Sequence, residues 1–224
     1  MNSIEEGADT PYVAGEGTAY FQQRLTSRSR NIQALRAQVF RDLDTSEAVV
    51  LDFGCGSGGV LSQIPAAERI GIEIGADAAL EAQRCGLDVR PSLAAVADNS
   101  VDYVISFHAL EHVYDPMGML REMRRVLRPD GKLRLVVPYE HVGQKHHRRW
   151  QTNSDYHLFA WTPLTLGNLA AQAGFTTINA KVTMSPTGSR LVKALAGFGP
   201  LKTLAHFWAS YRTSSFNIIV DAGN

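Results

Sequence analysis

One stretch of the chain combines apolar residues, glycines and a carboxylate in an order that could hold a ligand: Val49-Val50-Leu51-Asp52-Phe53-Gly54-Cys55-Gly56-Ser57-Gly58-Gly59. It reads as a buried strand that ends in a tight turn and leads into a helix. Gly54 and Gly56 can take dihedrals closed to other residues and let a ligand come close to the backbone. Free N–H groups in such a turn favour a polar or anionic group. Asp52 places a carboxylate at the strand end, where it can accept from an ammonium group or order the loop. Glu73, in Gly71-Ile72-Glu73-Ile74, follows after about the 20 residues at which an acidic side chain meets ribose hydroxyls in doubly wound folds. Its two oxygens can accept two hydroxyl hydrogens at once. Alone, Glu73 is equally well a solvated loop residue, and alternate glycines mark only a turn. Together they specify a nucleoside-type ligand.

The elements around these residues follow from hydrophobic spacing. Tyr20 to Leu43 has helical spacing, with Phe21, Leu25, Ile32, Leu35, Val39 and Leu43 available to one face. Strands are predicted at Ala48–Phe53, Arg69–Ile74, Leu87–Arg90, Val101–Phe107 and Lys132–Pro138, and a helix runs from about Asp77 to Arg84 and stops at Gly86. Asp115 caps a helix with Pro116 at its first position and Met117, Leu120, Met123 and Leu127 inward, and Pro129-Asp130-Gly131 makes a turn. Thr162-Pro163 opens a helix that closes at Gly174, before strands at Phe175–Val182 and Ser215–Val220. Strands alternating with helices mean an α/β fold, a parallel sheet with helices on both faces. Residues 1–47 are read as an N-terminal tail and helix covering the site, and residues 48–224 as one domain with a helical insert near 190–211.

With these residues in order, the chain resembles the class I S-adenosylmethionine (SAM)-dependent methyltransferases, of the bacterial small-molecule and glycan type. Val49 to Gly59 resembles their first motif, and Val101 to Val113 their fourth-strand motif. Met119 to Pro138, with Leu127-Arg128-Pro129-Asp130-Gly131-Lys132, resembles the helix and fifth strand that follow. The likeness runs from about residue 48 to 182. A Rossmann dehydrogenase usually has Gly-x-Gly-x-x-Gly, whereas here the spacing is Gly54-x-Gly56-x-Gly58 behind Asp52. The resemblance implies a three-layer, doubly wound, Rossmann-like sheet of about seven strands, with the last strand antiparallel beside the fifth. It implies SAM as cofactor, contacted by Asp52, Gly54, Cys55, Gly56, Glu73, Ile74, Ser92, Leu93, Phe107 and His112. Many relatives carry an acidic residue after the third strand for the adenine amino group. Arg90-Pro91-Ser92-Leu93 has none, so Ser92 and backbone groups must stand in.

Methyl transfer is a displacement at a sulfonium methyl, and a hydroxyl or amine acceptor must also lose a proton. Histidine suits that task because its ordinary pKa is near neutrality. His108 follows the fourth strand at the ligand edge and is the expected catalytic residue. His112, one turn later, is also open to a structural role, bonded to loop backbone. Glu111 is expected to be solvated. Tyr20, Phe21, His141 and His157 are the expected acceptor contacts. The adjacency of His146 and His147 makes poor chelating geometry, so no metal is expected. Arg121, Arg124, Arg125 and Arg128 are expected on a solvated helix face.

Composition narrows the rest. The 224 residues carry zero formal net charge, so a small-molecule acceptor is expected and nucleic acid is not. Cys55 and Cys85 form no disulfide or zinc pattern, and no window has the length and apolarity of a membrane span, so a cytoplasmic location is expected. The insert is open to four roles: core, substrate cap, homodimer contact or membrane-surface helix. The expected activity is transfer of a methyl group from SAM to a hydroxyl of a metabolite or glycan precursor. Nitrogen or carbon acceptors, and a SAM-binding regulatory or assembly module without turnover, are the alternatives.

Overall fold

The computed structural model describes residues 30–139, 156–184 and 216–224. Seven strands form one sheet in the order β3-β2-β1-β4-β5-β7-β6. They are β1 (Val49–Phe53), β2 (Glu68–Ile72), β3 (Asp88–Arg90), β4 (Val101–Phe107), β5 (Leu127–Pro138), β6 (Thr177–Met184) and β7 (Phe216–Gly223). The first five are parallel, and β7 runs antiparallel between β5 and β6. Among the described residues, four α-helices flank them: α1 (Arg30–Ala37), α2 (Ala76–Arg84), α3 (Pro116–Val126) and α4 (Pro163–Gln172).

Side-chain alternation along the strands splits the core in two. Leu51, Val104, Leu133, Leu135 and Ile218 pack under α3 and α4, through Leu120, Met123, Leu166 and Ala170. Val50, Ile105, Val136 and Ile219 pack under α1 and α2, through Ala37 and Ala82. A sheet covered on both faces gives the three expected layers. The predicted caps form: Asp115 Oδ1 accepts from the Gly118 N–H at 2.8 Å, and Thr162 and Thr165 make a reciprocal capping box.

Several expectations are corrected. The N-terminal helix does not reach Leu43: α1 tightens into a 3₁₀ turn at Gln38–Phe40 and ends. Arg134 on β5 is the cause, because its guanidinium takes the Val39 carbonyl together with the Asp42 and Asp221 carboxylates. The helix expected after the glycine turn is only a 3₁₀ turn, Leu61–Gln63. Pro65 forces Ile64 out of the helical region, to φ −100° and ψ 124°. Strand β5 begins at Leu127, and pairing jumps from Val101–Leu127 to Tyr103–Lys132, so the Pro129-Asp130-Gly131 turn is looped out within it. Arg125 departs from the expected solvated face: half-buried, it binds the Leu93 and Val96 carbonyls, whereas Arg121, Arg124 and Arg128 are exposed, Arg128 pairing with Asp102. The insert at 190–211 and the tail before residue 30 lie outside the described residues. Among those residues, no helix is long and apolar enough to cross a membrane.

Arg134 ties α1 to the sheet with a side chain only 10% exposed. Hydrogen bonds to charged groups contribute about 1.5–3 kcal/mol, and the exposure of Asp42 discounts its share. Arg134→Leu is expected to cost about 2 kcal/mol in urea unfolding, and Asp42→Ala less than about 1 kcal/mol.

Candidate active site

The strand order reverses between β1 and β4, and the loops leaving the carboxyl ends of these two strands meet there. Ligands of open α/β sheets bind at such a switch point. A Cβ on Gly54 would stand 2.4 Å from Ala109 Cβ, so only glycine allows this approach, and Gly54 has φ +72°. Gly56 has φ +55°, but a Cβ there would meet nothing within 4 Å. One glycine is needed for packing between loops; the other faces open space.

The acidic residues frame that space. Glu73 lies just past β2, where its Oε2 accepts from the Gly56 N–H at 2.9 Å and its Oε1 from the Gly75 N–H at 2.7 Å. Burial raises the Glu73 pKa against these hydrogen bonds. Asp52 is 2% exposed, and its Oδ1 has no hydrogen-bond partner among the described residues. Burial, with help from the nearby Glu73 charge, pushes its pKa up to about 8. A buried, unsatisfied carboxyl two residues before an open glycine turn suits a cationic ligand group. The remaining nucleotide-side residues divide by exposure. Ile74 is 43% exposed and Ser92 half-buried. The Leu93 side chain is 3% exposed and sits in the core, so the expected Leu93 contact is limited to its backbone. Cys55 likewise turns inward beside Gly71, and burial raises its thiol pKa.

His108 sits at the end of β4 with φ +56°, a strained conformation for a residue with a side chain. Three contacts hold it there: its N–H donates to the Val136 carbonyl at 2.8 Å, its ring stacks on Phe107 at 4.3 Å, and its Nε2 meets Asn217 Oδ1 at 3.1 Å. The near-neutral pKa expected of this histidine is not kept. Burial, opposed by the Asn217 bond and aided by the Arg36, His157 and His112 charges, lowers it to about 3. Arg36 of α1 lies over the other member of the stack, 5.4 Å from the Phe107 centroid, and Gln33 abuts Gly59.

The next turn holds a second group. Glu111 is 1% exposed, against the expectation of a solvated side chain. The 156–162 segment packs on it, since the N–H groups of Leu158 and Phe159 donate to the Glu111 carbonyl. His112 Nδ1 faces the Tyr156 carbonyl at 3.4 Å, and its ring meets His157 edge-on at 4.9 Å. Glu111, His112 and His157 each offer an atom within 4.8 Å of the others, a pairing of distant segments invisible in the sequence. Tyr20, Phe21 and His141 lie outside the described residues. A cavity of about 480 Å³ lies between α1 and the 61–65 turn, lined by Ala37, Phe40, Thr45, Gln63 and Pro65. Asp52, Gly56, Glu73 and His108 are not part of it.

Sequence missed Asn217, because nothing in Phe216-Asn217-Ile218 distinguishes a site residue from an ordinary strand polar residue. Only the placement of β7 beside β5 brings it to His108.

A seven-stranded sheet with its last strand reversed, a glycine turn at the switch point and an acidic residue closing it define a nucleotide-cofactor enzyme of Rossmann-like type. Residues 22–180 match the methyltransferase domain family, and the chain belongs to it, as a class I SAM-dependent methyltransferase. A ubiquinone biosynthesis O-methyltransferase of Cereibacter sphaeroides is 39% identical over 117 residues, 44% of this chain and 46% of that protein. The chain therefore matches less than half the length of that relative. Among solved structures, the methyltransferase bound to the Trm112 activator of Haloferax volcanii superposes with a TM-score of 0.70 at 19% identity, covering 94% of this chain and 97% of that one. A phosphoethanolamine N-methyltransferase of Haemonchus contortus, complexed with phosphomonomethylethanolamine and S-adenosylhomocysteine, superposes at 0.67 and 15% identity, over 92% and 57%. These likenesses carry the fold. The cofactor is SAM.

The raised Asp52 pKa has a sign that stability measurements can read. Its folded value exceeds its unfolded one, so the folded chain binds the proton more tightly. The stability this contributes is full below about pH 4, and it is lost as pH rises towards about 8. Asp52→Asn is expected to remove that decline, becoming progressively more stable than wild type between about pH 5 and 8 in urea unfolding without cofactor. Parallel pH profiles for the two proteins would contradict it.

Proposed function

We propose that the enzyme methylates an oxygen of a small acceptor, with His108 receiving the acceptor's proton. The observation that carries this reading is the His108 imidazole, neutral at the carboxyl edge of β4 and next to the residue that abuts Gly54. The O-methyltransferase name of the Cereibacter relative supports oxygen as the acceptor atom.

The residues present fit SAM. Gly54 and Gly56 would let it approach the backbone, Glu73 would accept from its ribose hydroxyls, and Asp52 would face its ammonium group. Ile74, Ser92 and the Leu93 backbone would flank the adenine, with Phe107 and His112 at the methionine end. The bound cofactor supplies an electrophilic methyl on a sulfonium. With Nε2 tied to Asn217, His108 can offer only Nδ1 to a hydroxyl. His108 would take the acceptor's hydroxyl proton at Nδ1. A cofactor that brings a positive charge and gives it up with its methyl would leave the net charge of the site unchanged, which would offset the burial that otherwise disfavours a charged His108. Phe107 stacking and the Val136 bond keep the ring from turning away. Residues 1–47, with Tyr20 and Phe21, and the loop carrying His141 and His157 would cover the acceptor.

Two experiments test this reading. Titration calorimetry with SAM should show binding abolished or strongly weakened in Gly56→Val, where a side chain enters the ligand space at positive φ, and in Glu73→Ala. Unchanged affinity in both would remove Gly56 and Glu73 from the cofactor site. Release of S-adenosylhomocysteine with a panel of phenols, diols and amines should favour hydroxyl acceptors. His108→Gln should lower turnover by about 10²–10⁴-fold with SAM affinity kept. Because the His108 pKa is lowered to about 3, the wild-type rate should show no His108 limb between about pH 5 and 8. A limb near pH 6.5 that vanishes in His108→Gln would refute the burial argument.

A further inference from the structure

The geometry points to Asn217 as the positioning residue that holds His108 in its Nε2–H tautomer, leaving the Nδ1 lone pair for the methyl acceptor. This rests on the reading of His108 given above.

Asn217 is buried, 2% exposed, as the second residue of a largely apolar strand. Its Oδ1 lies 3.1 Å from His108 Nε2. Its Nδ2 has no hydrogen-bond partner among the described residues. A buried amide that satisfies only one of its two ends costs stability relative to an apolar side chain of similar size. Its neighbours Ile218, Ile219 and Val220 indicate what the strand would otherwise carry. Among the described residues, the one side-chain hydrogen bond the amide makes is to His108, and that bond gives a reason for its presence.

A neutral imidazole carries one hydrogen, and the bond made by one ring nitrogen decides which nitrogen bears it. The Asn217 carbonyl oxygen can only accept, so Nε2 must donate and Nδ1 must be bare. The ring cannot exchange its two nitrogens by flipping, because it stacks on Phe107 at an interplanar angle of 18° and its backbone is pinned to Val136. The charged or titratable groups facing it are Arg36 of α1, His112 of the following turn and His157 of the 156–162 segment. All three oppose a positive imidazole, which keeps the tautomer question one of neutral forms.

The test uses the full-length ¹⁵N-labelled protein and long-range ¹H–¹⁵N correlation, with the His108 signals assigned by their loss in His108→Gln. Wild type should give a protonated Nε2 and a bare Nδ1. Asn217→Leu should shift His108 towards the Nδ1–H form and lower kcat by about tenfold or more. Its KM for SAM should stay level, and its melting temperature should be unchanged or higher, which a merely structural asparagine would not permit. Asn217→Asp should keep the Nε2–H form, and its new charge should raise the His108 pKa and bring an acidic limb into the pH–rate profile. A wild-type Nδ1–H tautomer would overturn the proposal, as would an Asn217→Leu protein with an unchanged tautomer. Should the leucine variant not fold, the wild-type tautomer and the aspartate variant decide alone. A wild-type rate in His108→Gln, alongside the expected tautomer change, would remove the proton-acceptor role and leave the positioning role standing.

Discussion

A single carboxylate organises the cofactor edge of this enzyme. Glu73 bonds the backbone N–H groups of Gly56 and Gly75, and so joins the turn after β1 to the start of α2. Backbone donors at a tight turn must be satisfied by something, and here a charged acceptor does it without filling the space in front of Gly56. The loop is held in this open shape by the residue proposed to contact the ligand. The Ile72 carbonyl adds to this by accepting from both the Gly54 and the Cys55 N–H groups at 3.0 Å. The same turn brings Gly54 up against Ala109, the residue after His108.

The opposite side of the site uses neutral groups. Asp52 and Glu73 are both pushed towards protonation by burial. His108 is pushed away from it by the same cause. Burial thus favours the neutral forms of Asp52 and His108, whereas at Glu73 the backbone N–H donors oppose it. A cationic cofactor entering such a site meets groups whose protonation can respond to it.

The alternation of strands and helices, the capped helices at Asp115 and Thr162, the glycine turn and Glu73 were all legible in the chain. Each depends on residues close in sequence or on a period of two or 3.6 residues. Other features were legible in type and wrong in setting. Glu111 looked like a solvated helix residue, yet the 156–162 segment buries it. Arg125 looked like a surface charge, yet it braces the 93–98 turn through carbonyls some 30 residues away in the chain.

By itself the sequence determined the fold class, the glycine-rich turn after β1 and the acidic residue that follows β2, because local periodicity and backbone chemistry are written in consecutive residues. Tertiary structure alone decided the electrostatics and the partnerships. The sequence places a histidine after β4, but not its lowered pKa, since that comes from burial and from the charges of Arg36, His157 and His112 brought near it by the fold. It places an asparagine in β7, but not its bond to a histidine 109 positions earlier. That bond exists because β7 inserts antiparallel beside β5, and desolvation and register are properties of the packed sheet that no single segment carries.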